Sequence, residues 1–220
     1  MLKKPIEAVL FDMDGLLIDT EAVYIEAYRA AAETLGIEMP LALCHAMIGV
    51  PSRECDAMIQ DHFGPDFRLD RFERHFRDHA ERRMAEQVPV KPGAVELLEF
   101  LRGRALPLAI ATSSRPTTVD RHLGRAGLRH HFAAIATRYD VERPKPQPDV
   151  YLEAARRLGV AAERCIAFED SNVGLAAAHA AGTMAIMVPD IVAPTEESRA
   201  KCLTVVPDLH AALRLLQVEL

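Results

Sequence analysis

The sequence has no Cys-x-x-Cys pair. Its four cysteines, Cys44, Cys55, Cys165 and Cys202, stand far apart, which suits reduced thiols packed as small apolar side chains better than a disulfide framework. A basic excess is missing as well. With 26 Lys and Arg against 32 Asp and Glu, no sequence-wide positive field exists to attract nucleic acid or anionic lipid, and small molecules or proteins are the expected partners. Long apolar runs are lacking too: Glu7 and Asp12 interrupt the segment after Lys3 and Lys4 before it reaches the length of a signal sequence or a membrane span. Neither an internal repeat nor a low-complexity tract breaks the 220 residues. These absences point to a cytoplasmic protein that binds neither nucleic acid nor membrane. What is present is apolar content of 50%, enough to bury a core in one large domain or two small ones without staples.

That apolar content is distributed in two textures. The opening run Ile6 to Phe11 is apolar at nearly every position, as expected for a central strand of a parallel sheet. After Leu106, short apolar runs (Leu106 to Ala111, Ala133 to Ala136, Cys165 to Phe168, Met184 to Val188, Leu203 to Val206) alternate with stretches of helical period. Strand and helix in alternation predict an α/β, Rossmann-like parallel sheet with helices on both faces. Between Asp19 and Gln87 the pattern is helical throughout, with helices expected over Ala22 to Leu35 and Leu69 to Gln87. So long a segment far exceeds a parallel crossover and reads as an inserted all-helical domain. The boundaries that follow are 1–16 with 90–220 for the sheet-bearing core and 17–89 for the insert, which leaves through the stiff stretch Val88 to Gly93.

In an open parallel sheet, ligands bind beyond the carboxyl ends of the strands, so the residues there belong together. Four polar clusters fall at such ends or in the loops beside them: Asp12-Met13-Asp14-Gly15, Thr112-Ser113-Ser114, Arg143-Pro144-Lys145-Pro146 and Glu169-Asp170-Ser171. Carboxylates that repel one another are tolerable when a divalent cation neutralises them, and Mg²⁺ takes one or two carboxylates, several waters and phosphate oxygens. Asp12, Asp14 and Asp170 fit that demand, while a lysine and hydroxyls supply donors for a phosphoryl group. Gly15 lets the backbone turn sharply enough to aim N–H groups at the same anion. The set reads as a phosphoryl-transfer site. Each member also has a plain structural alternative: Asp12 and Asp14 as turn residues, Asp170 or Ser171 as the cap of the next helix, Thr112 as a cap of its own segment.

The ordered motifs D-x-D-G, Thr-Ser-Ser, K-P-x-P-D and E-D-S-x-x-G resemble the haloacid dehalogenase-like superfamily, in its phosphatase and β-phosphoglucomutase-like branch with a helical cap after the first strand. The segments FDMDGLLIDTE, ATSS and MVPD are similar to those of pseudouridine 5′-phosphatase and sugar-phosphate phosphatases. The resemblance implies that Asp12 is a nucleophile forming an aspartyl-phosphate and that Asp14 is the acid/base, lending its backbone carbonyl to Mg²⁺. It further implies Asp12, Asp14, Asp170 and Glu169 around the metal, with Glu169 ligating directly or through a water. Thr112, Ser113 and Lys145 are then the phosphate contacts. Related caps place a substrate-contacting arginine after a glycine, which makes Arg53 in GVPSRE a candidate beside Glu21 and Ser114.

The implied activity is Mg²⁺-dependent hydrolysis of a small phosphorylated metabolite of the sugar or nucleoside phosphate class, by a monomer or weak dimer whose cap closes over Asp12. A phosphomutase is the alternative. Tyr24 and Pro116 stand where the resemblance to β-phosphoglucomutase calls for a histidine and an asparagine, which weakens it. A true dehalogenase needs no proton donor at Asp14, and a binding-only fold would show a broken motif. His75 and His79 in RFERHFRDHAERR are read as part of a solvated charged face, and His130-His131 as a surface loop.

Overall fold

Runs that are apolar at nearly every position can be satisfied only by burial on both faces, and they form the middle of a six-stranded parallel sheet. The computed structural model describes residues 5–48, 50 and 52–220; Lys3, Lys4 and Gly49, the glycine ahead of Arg53, lie outside them. The strands are β1 (Ala8–Phe11), β2 (Leu108–Thr112), β3 (Ala134–Thr137), β4 (Cys165–Glu169), β5 (Met184–Met187) and β6 (Thr204–Val205). Their spatial order is β3-β2-β1-β4-β5-β6. β1, β2 and β4 are buried at every residue.

Register decides what emerges where. Phe11 lies opposite Ile110 on one side and Phe168 on the other. Asp12, Thr112 and Glu169 therefore leave or finish adjacent central strands at their carboxyl ends, where the strand order reverses around β1.

The chain divides into two compact units, residues 1–18 with 89–220 and residues 19–88. The second carries α1 (Thr20–Thr34), α2 (Leu41–Ala46), α3 (Ser52–Phe63) and α4 (Leu69–Glu86), and no strand among its described residues. α1 begins two residues before the expected Ala22 because Asp19 caps it, its carboxylate accepting the Ala22 N–H at 3.4 Å. The core of this unit gathers Ala31, Ala32, Met39, Cys44, Met47, Cys55, Ile59 and Phe72. Tyr28 stacks on Phe76 with ring centroids 4.2 Å apart.

The α/β unit adds α5 (Ala94–Gly103), α6 (Pro116–Arg125), α7 (Asp149–Leu158), α8 (Asn172–Ala180), α9 (Glu196–Lys201) and α10 (Leu209–Glu219). α7 lies against β1 to β3 and α8 against β4 and β5. The two segments that join this unit to the rest pair with each other: Ile18 and Val90 form an antiparallel bridge, and the Lys91 N–H donates to the Leu17 carbonyl at 2.9 Å.

One expectation fails. His131 is not in a surface loop; it ends a 3₁₀ turn (Arg129–His131), and its side chain is only 2% exposed, with Nε2 3.8 Å from a Glu99 carboxylate oxygen on α5. The paired histidines hid the fact that such a turn sends consecutive residues to different environments. No helix among the described residues is long and apolar enough to cross a membrane.

Candidate active site

Three strand ends and one loop build the site. Asp12 follows β1 directly, its N–H held by the Phe168 carbonyl at 3.1 Å, so its position is set by the sheet rather than by a flexible turn. Lys145 comes from the loop ahead of α7. That loop is closed by Arg143, whose guanidinium grips both oxygens of Asp149 at 2.7 and 3.0 Å, and by the Asp149 contact to the Arg143 N–H at 3.3 Å. The Lys145 ammonium bridges Asp12 Oδ1 and Glu169 Oε1, each at 2.6 Å. All three side chains are at least nine-tenths buried.

Asp12, Glu169 and Asp170 each offer a carboxylate oxygen, and these atoms lie within 4.8 Å of one another. Burial first, then the charges of Glu169 and Asp14, pushes the Asp12 carboxyl up to about 7 against the pull of Lys145. Burial and the charges of Glu169 and Asp12 likewise hold Asp170 well above the usual carboxylate range. For Lys145, burial disfavours the ammonium, but the carboxylates of Asp12 and Glu169 outweigh it and keep the group charged. Three carboxylates around one ammonium leave a formal surplus of two negative charges when all are ionised. Their hard oxygen donors and that surplus fit a divalent cation such as Mg²⁺.

Local sequence explains how four charges share so little space. Ser171, not Asp170, caps α8: its hydroxyl accepts the Gly174 N–H at 3.0 Å and donates to Glu169 Oε2 at 3.2 Å, leaving Asp170 to the carboxylate group. Gly174 is required because a Cβ there would lie 1.9 Å from Glu169 Oε1. Gly15 is required twice, by its φ of +82° and by Asp170 Oδ2, which a Cβ would meet at 2.4 Å. Its own N–H donates to the Ile18 carbonyl at 2.8 Å and closes the turn.

Asp14 is held by hydroxyls. Its Oδ2 accepts the Ser114 hydroxyl at 2.7 Å and the Thr112 hydroxyl at 3.5 Å. Thr112 also accepts the Ser114 N–H at 3.0 Å, so the capping role and the contact to Asp14 coexist in one hydroxyl. Ser114, a candidate substrate contact, donates to Asp14 and is half-buried, while Ser113 is exposed beside it. Glu21 and Arg53 belong to the helical unit: Glu21 is half-buried in the first turn of α1 and Arg53 is exposed in the first turn of α3.

Tyr151 escaped the sequence reading. It is fully buried in the first turn of α7, its hydroxyl 2.6 Å from Glu169 Oε1 and its ring centroid 5.0 Å from the Lys145 ammonium. Burial and the charges of Glu169 and Asp12 keep it a phenol. In "PDVYLEAARR" it occupies an apolar helical position, and only its distance of six residues from Lys145 hints at more.

A second group, Glu99, His130 and His131, also brings three ligand atoms within 4.8 Å. If Nε2 of His131 took a metal, the ring proton would move to Nδ1, which is buried without a hydrogen-bond partner. His75 and His79 form no such group with a third ligand among the described residues.

Comparison with known proteins identifies the family. The sequence profile of the haloacid dehalogenase-like hydrolase family matches residues 9–188. The chain is 36% identical to a phosphorylated carbohydrates phosphatase of Thermotoga maritima over 80% of its own length and 82% of the relative's. It is 33% identical to a probable pseudouridine-5'-phosphatase of Drosophila melanogaster, over 82% and 80%. A crystal structure of a putative β-phosphoglucomutase from Thermotoga maritima superposes with a TM-score of 0.85 at 32% identity, covering 98% of this chain and all of that one. With the profile spanning most of the chain and relatives more than 30% identical over four-fifths of their length, this protein belongs to the haloacid dehalogenase-like hydrolase family.

Proposed function

We propose that this family member is a Mg²⁺-dependent phosphatase of a small phosphorylated metabolite, of the sugar or nucleoside phosphate class, working through an aspartyl-phosphate. The observation that carries the reading is the convergence of Asp12, Glu169 and Asp170 on one locus with Lys145 bridging two of them. We assign catalysis to the α/β unit and the choice of substrate to the helical one. Asp12 and Asp170, with the backbone carbonyl of Asp14, would hold the cation, with Glu169 reaching it directly or through a water; when bound it neutralises the carboxylates and draws charge from the phosphoryl oxygens.

The remaining chemistry belongs to the chain's own residues. Lys145 holds Asp12 Oδ1, which orients the other carboxylate oxygen for in-line attack on phosphorus. A bond forms from Asp12 to phosphorus as the ester P–O bond breaks, and the departing alkoxide takes a proton from Asp14. Water then attacks the aspartyl-phosphate, giving its proton to Asp14, and inorganic phosphate leaves. Ser114 keeps Asp14 aimed during both proton transfers. Thr112, Ser113 and Lys145 supply donors to the phosphoryl oxygens.

The likeness to a putative β-phosphoglucomutase keeps a second reading in view, in which a sugar hydroxyl rather than water accepts the phosphoryl group. Tyr24 and Pro116 count against it, since the contacts that would hold off water are not of the expected residue types. The test supplies glucose 1-phosphate with catalytic glucose 1,6-bisphosphate beside a panel of sugar and nucleoside phosphates, each with Mg²⁺ and then with excess chelator, followed by phosphorus NMR. Inorganic phosphate that appears only with Mg²⁺ is expected. Build-up of glucose 6-phosphate with little free phosphate overturns the phosphatase in favour of the mutase, and full activity in chelator overturns the cation.

A further inference from the structure

A buried phenol needs a partner, and the one chosen here is informative. The Tyr151 hydroxyl donates neither to backbone nor to solvent but to Glu169 Oε1, the oxygen that also accepts the Lys145 ammonium. Two donors at 2.6 Å fill the two lone pairs of that oxygen. On the other oxygen, the Ser171 hydroxyl and N–H approach to 3.2 and 3.4 Å. The carboxylate is therefore clamped on both sides, in space that Gly174 leaves open. A phenylalanine would fill the same volume on α7 and make the same apolar contacts, so what the tyrosine adds is the O–H alone.

The consequence passes through Lys145. Its ammonium is shared between Glu169 and Asp12, and a carboxylate deprived of one donor draws harder on the other. Without the phenol, Glu169 would pull Lys145 toward itself and away from Asp12, and would be freer to turn about its own side-chain torsions.

We propose that Tyr151 is a positioning residue that locks Glu169 and thereby fixes the division of Lys145 between Glu169 and Asp12, setting both the affinity for the divalent cation and the aim of Asp12. This rests on the cation-dependent phosphatase reading above. It assigns no contact between Tyr151 and substrate.

The experiment measures Mn²⁺ binding by electron paramagnetic resonance on chelator-stripped full-length protein, for wild type, Tyr151→Phe, Glu169→Gln and the double variant. Tyr151→Phe should weaken Mn²⁺ binding about 10-fold, the usual size for a partner that orients a metal-binding side chain. In the Glu169→Gln background the same change should have no further effect, because the group through which Tyr151 acts is already altered. A Tyr151→Phe protein that binds Mn²⁺ like wild type overturns the inference, whether or not its unfolding temperature drops. Equal losses in both backgrounds overturn it too, since Tyr151 would then act without Glu169. Wild-type protein that binds no Mn²⁺ overturns the cation reading and this inference together, whereas wild-type binding with an intact Tyr151→Phe overturns this inference alone.

Discussion

The two units solve the problem of burial in opposite ways. In the helical unit the core is almost wholly apolar, with Tyr28, Phe72 and Phe76 stacked between α1 and α4, and Thr20 is its only buried polar residue among those described. The α/β unit buries Asp12, Thr112, His122, His131, Thr137, Glu169, Thr183 and Ser198. One unit spends its interior on packing; the other gives part of its interior to groups that resist burial. The lesson is that the cost of a reactive cluster can be confined to a frame whose buried strands are firm enough to carry it.

The sharpest test of that contrast is Asp12→Asn. On the proposed mechanism, loss of the attacking oxygen should lower hydrolysis of any phosphomonoester by about 10⁴-fold or more, on the order of 5 kcal/mol of transition-state stabilisation. The thermal midpoint should hold or rise, because a buried carboxylate leaves a crowd of like charges. A midpoint several degrees lower would mean that Asp12 supports the fold and would break the contrast.

Next comes Phe72→Ala in the helical unit. Removing a fully buried ring that stacks on Tyr28 should destabilise that unit by about 3–5 kcal/mol. Hydrogen exchange read by mass spectrometry should show α1 and α4 losing protection while β1, β2 and β4 keep theirs. Equal loss in the sheet would show that the units unfold together.

A smaller effect belongs to His122 on α6. Burial, reinforced by Arg121 and Arg125, lowers its imidazole to about 4, and its Nδ1 has no hydrogen-bond partner. The unfolded chain, with an ordinary value near ~6.5, binds more protons in the interval between. Stability is therefore fully present above the unfolded value and is lost as pH falls from about 6.5 toward 4. His122→Leu should flatten that slope, by roughly 1–3 kcal/mol across the window, in urea unfolding followed at several pH values. An unchanged slope would place the acid sensitivity in other groups.

Legibility in the sequence followed the same division. The buried strands were visible because a strand covered on both faces needs apolar residues at nearly every position, and Asp12, Thr112, Glu169 and Asp170 were visible because polar groups directly after such runs are conspicuous, whereas Lys145 stood out between Pro144 and Pro146. Tyr151 was not, since its ring satisfies the apolar helical pattern and its hydroxyl acts on a residue eighteen positions away. Gly174 could be named as part of a motif but not explained, because what excludes a side chain there is Glu169 folded over the first turn of α8. His131 misled because a histidine pair looks polar until the turn that buries one of the two rings is known.

The bridge between Ile18 and Val90 bears on how such a chain can change over time. Paired residues on antiparallel strands sit about 5 Å apart, so the two ends of the α/β unit meet across the gap where residues 19–88 are inserted. A joint of a few residues would close that gap at little entropic cost, and a longer insert costs only slightly more. The helical unit is in this sense a replaceable module plugged into a finished socket. It can be lengthened or exchanged while the carboxylates stay where the sheet holds them.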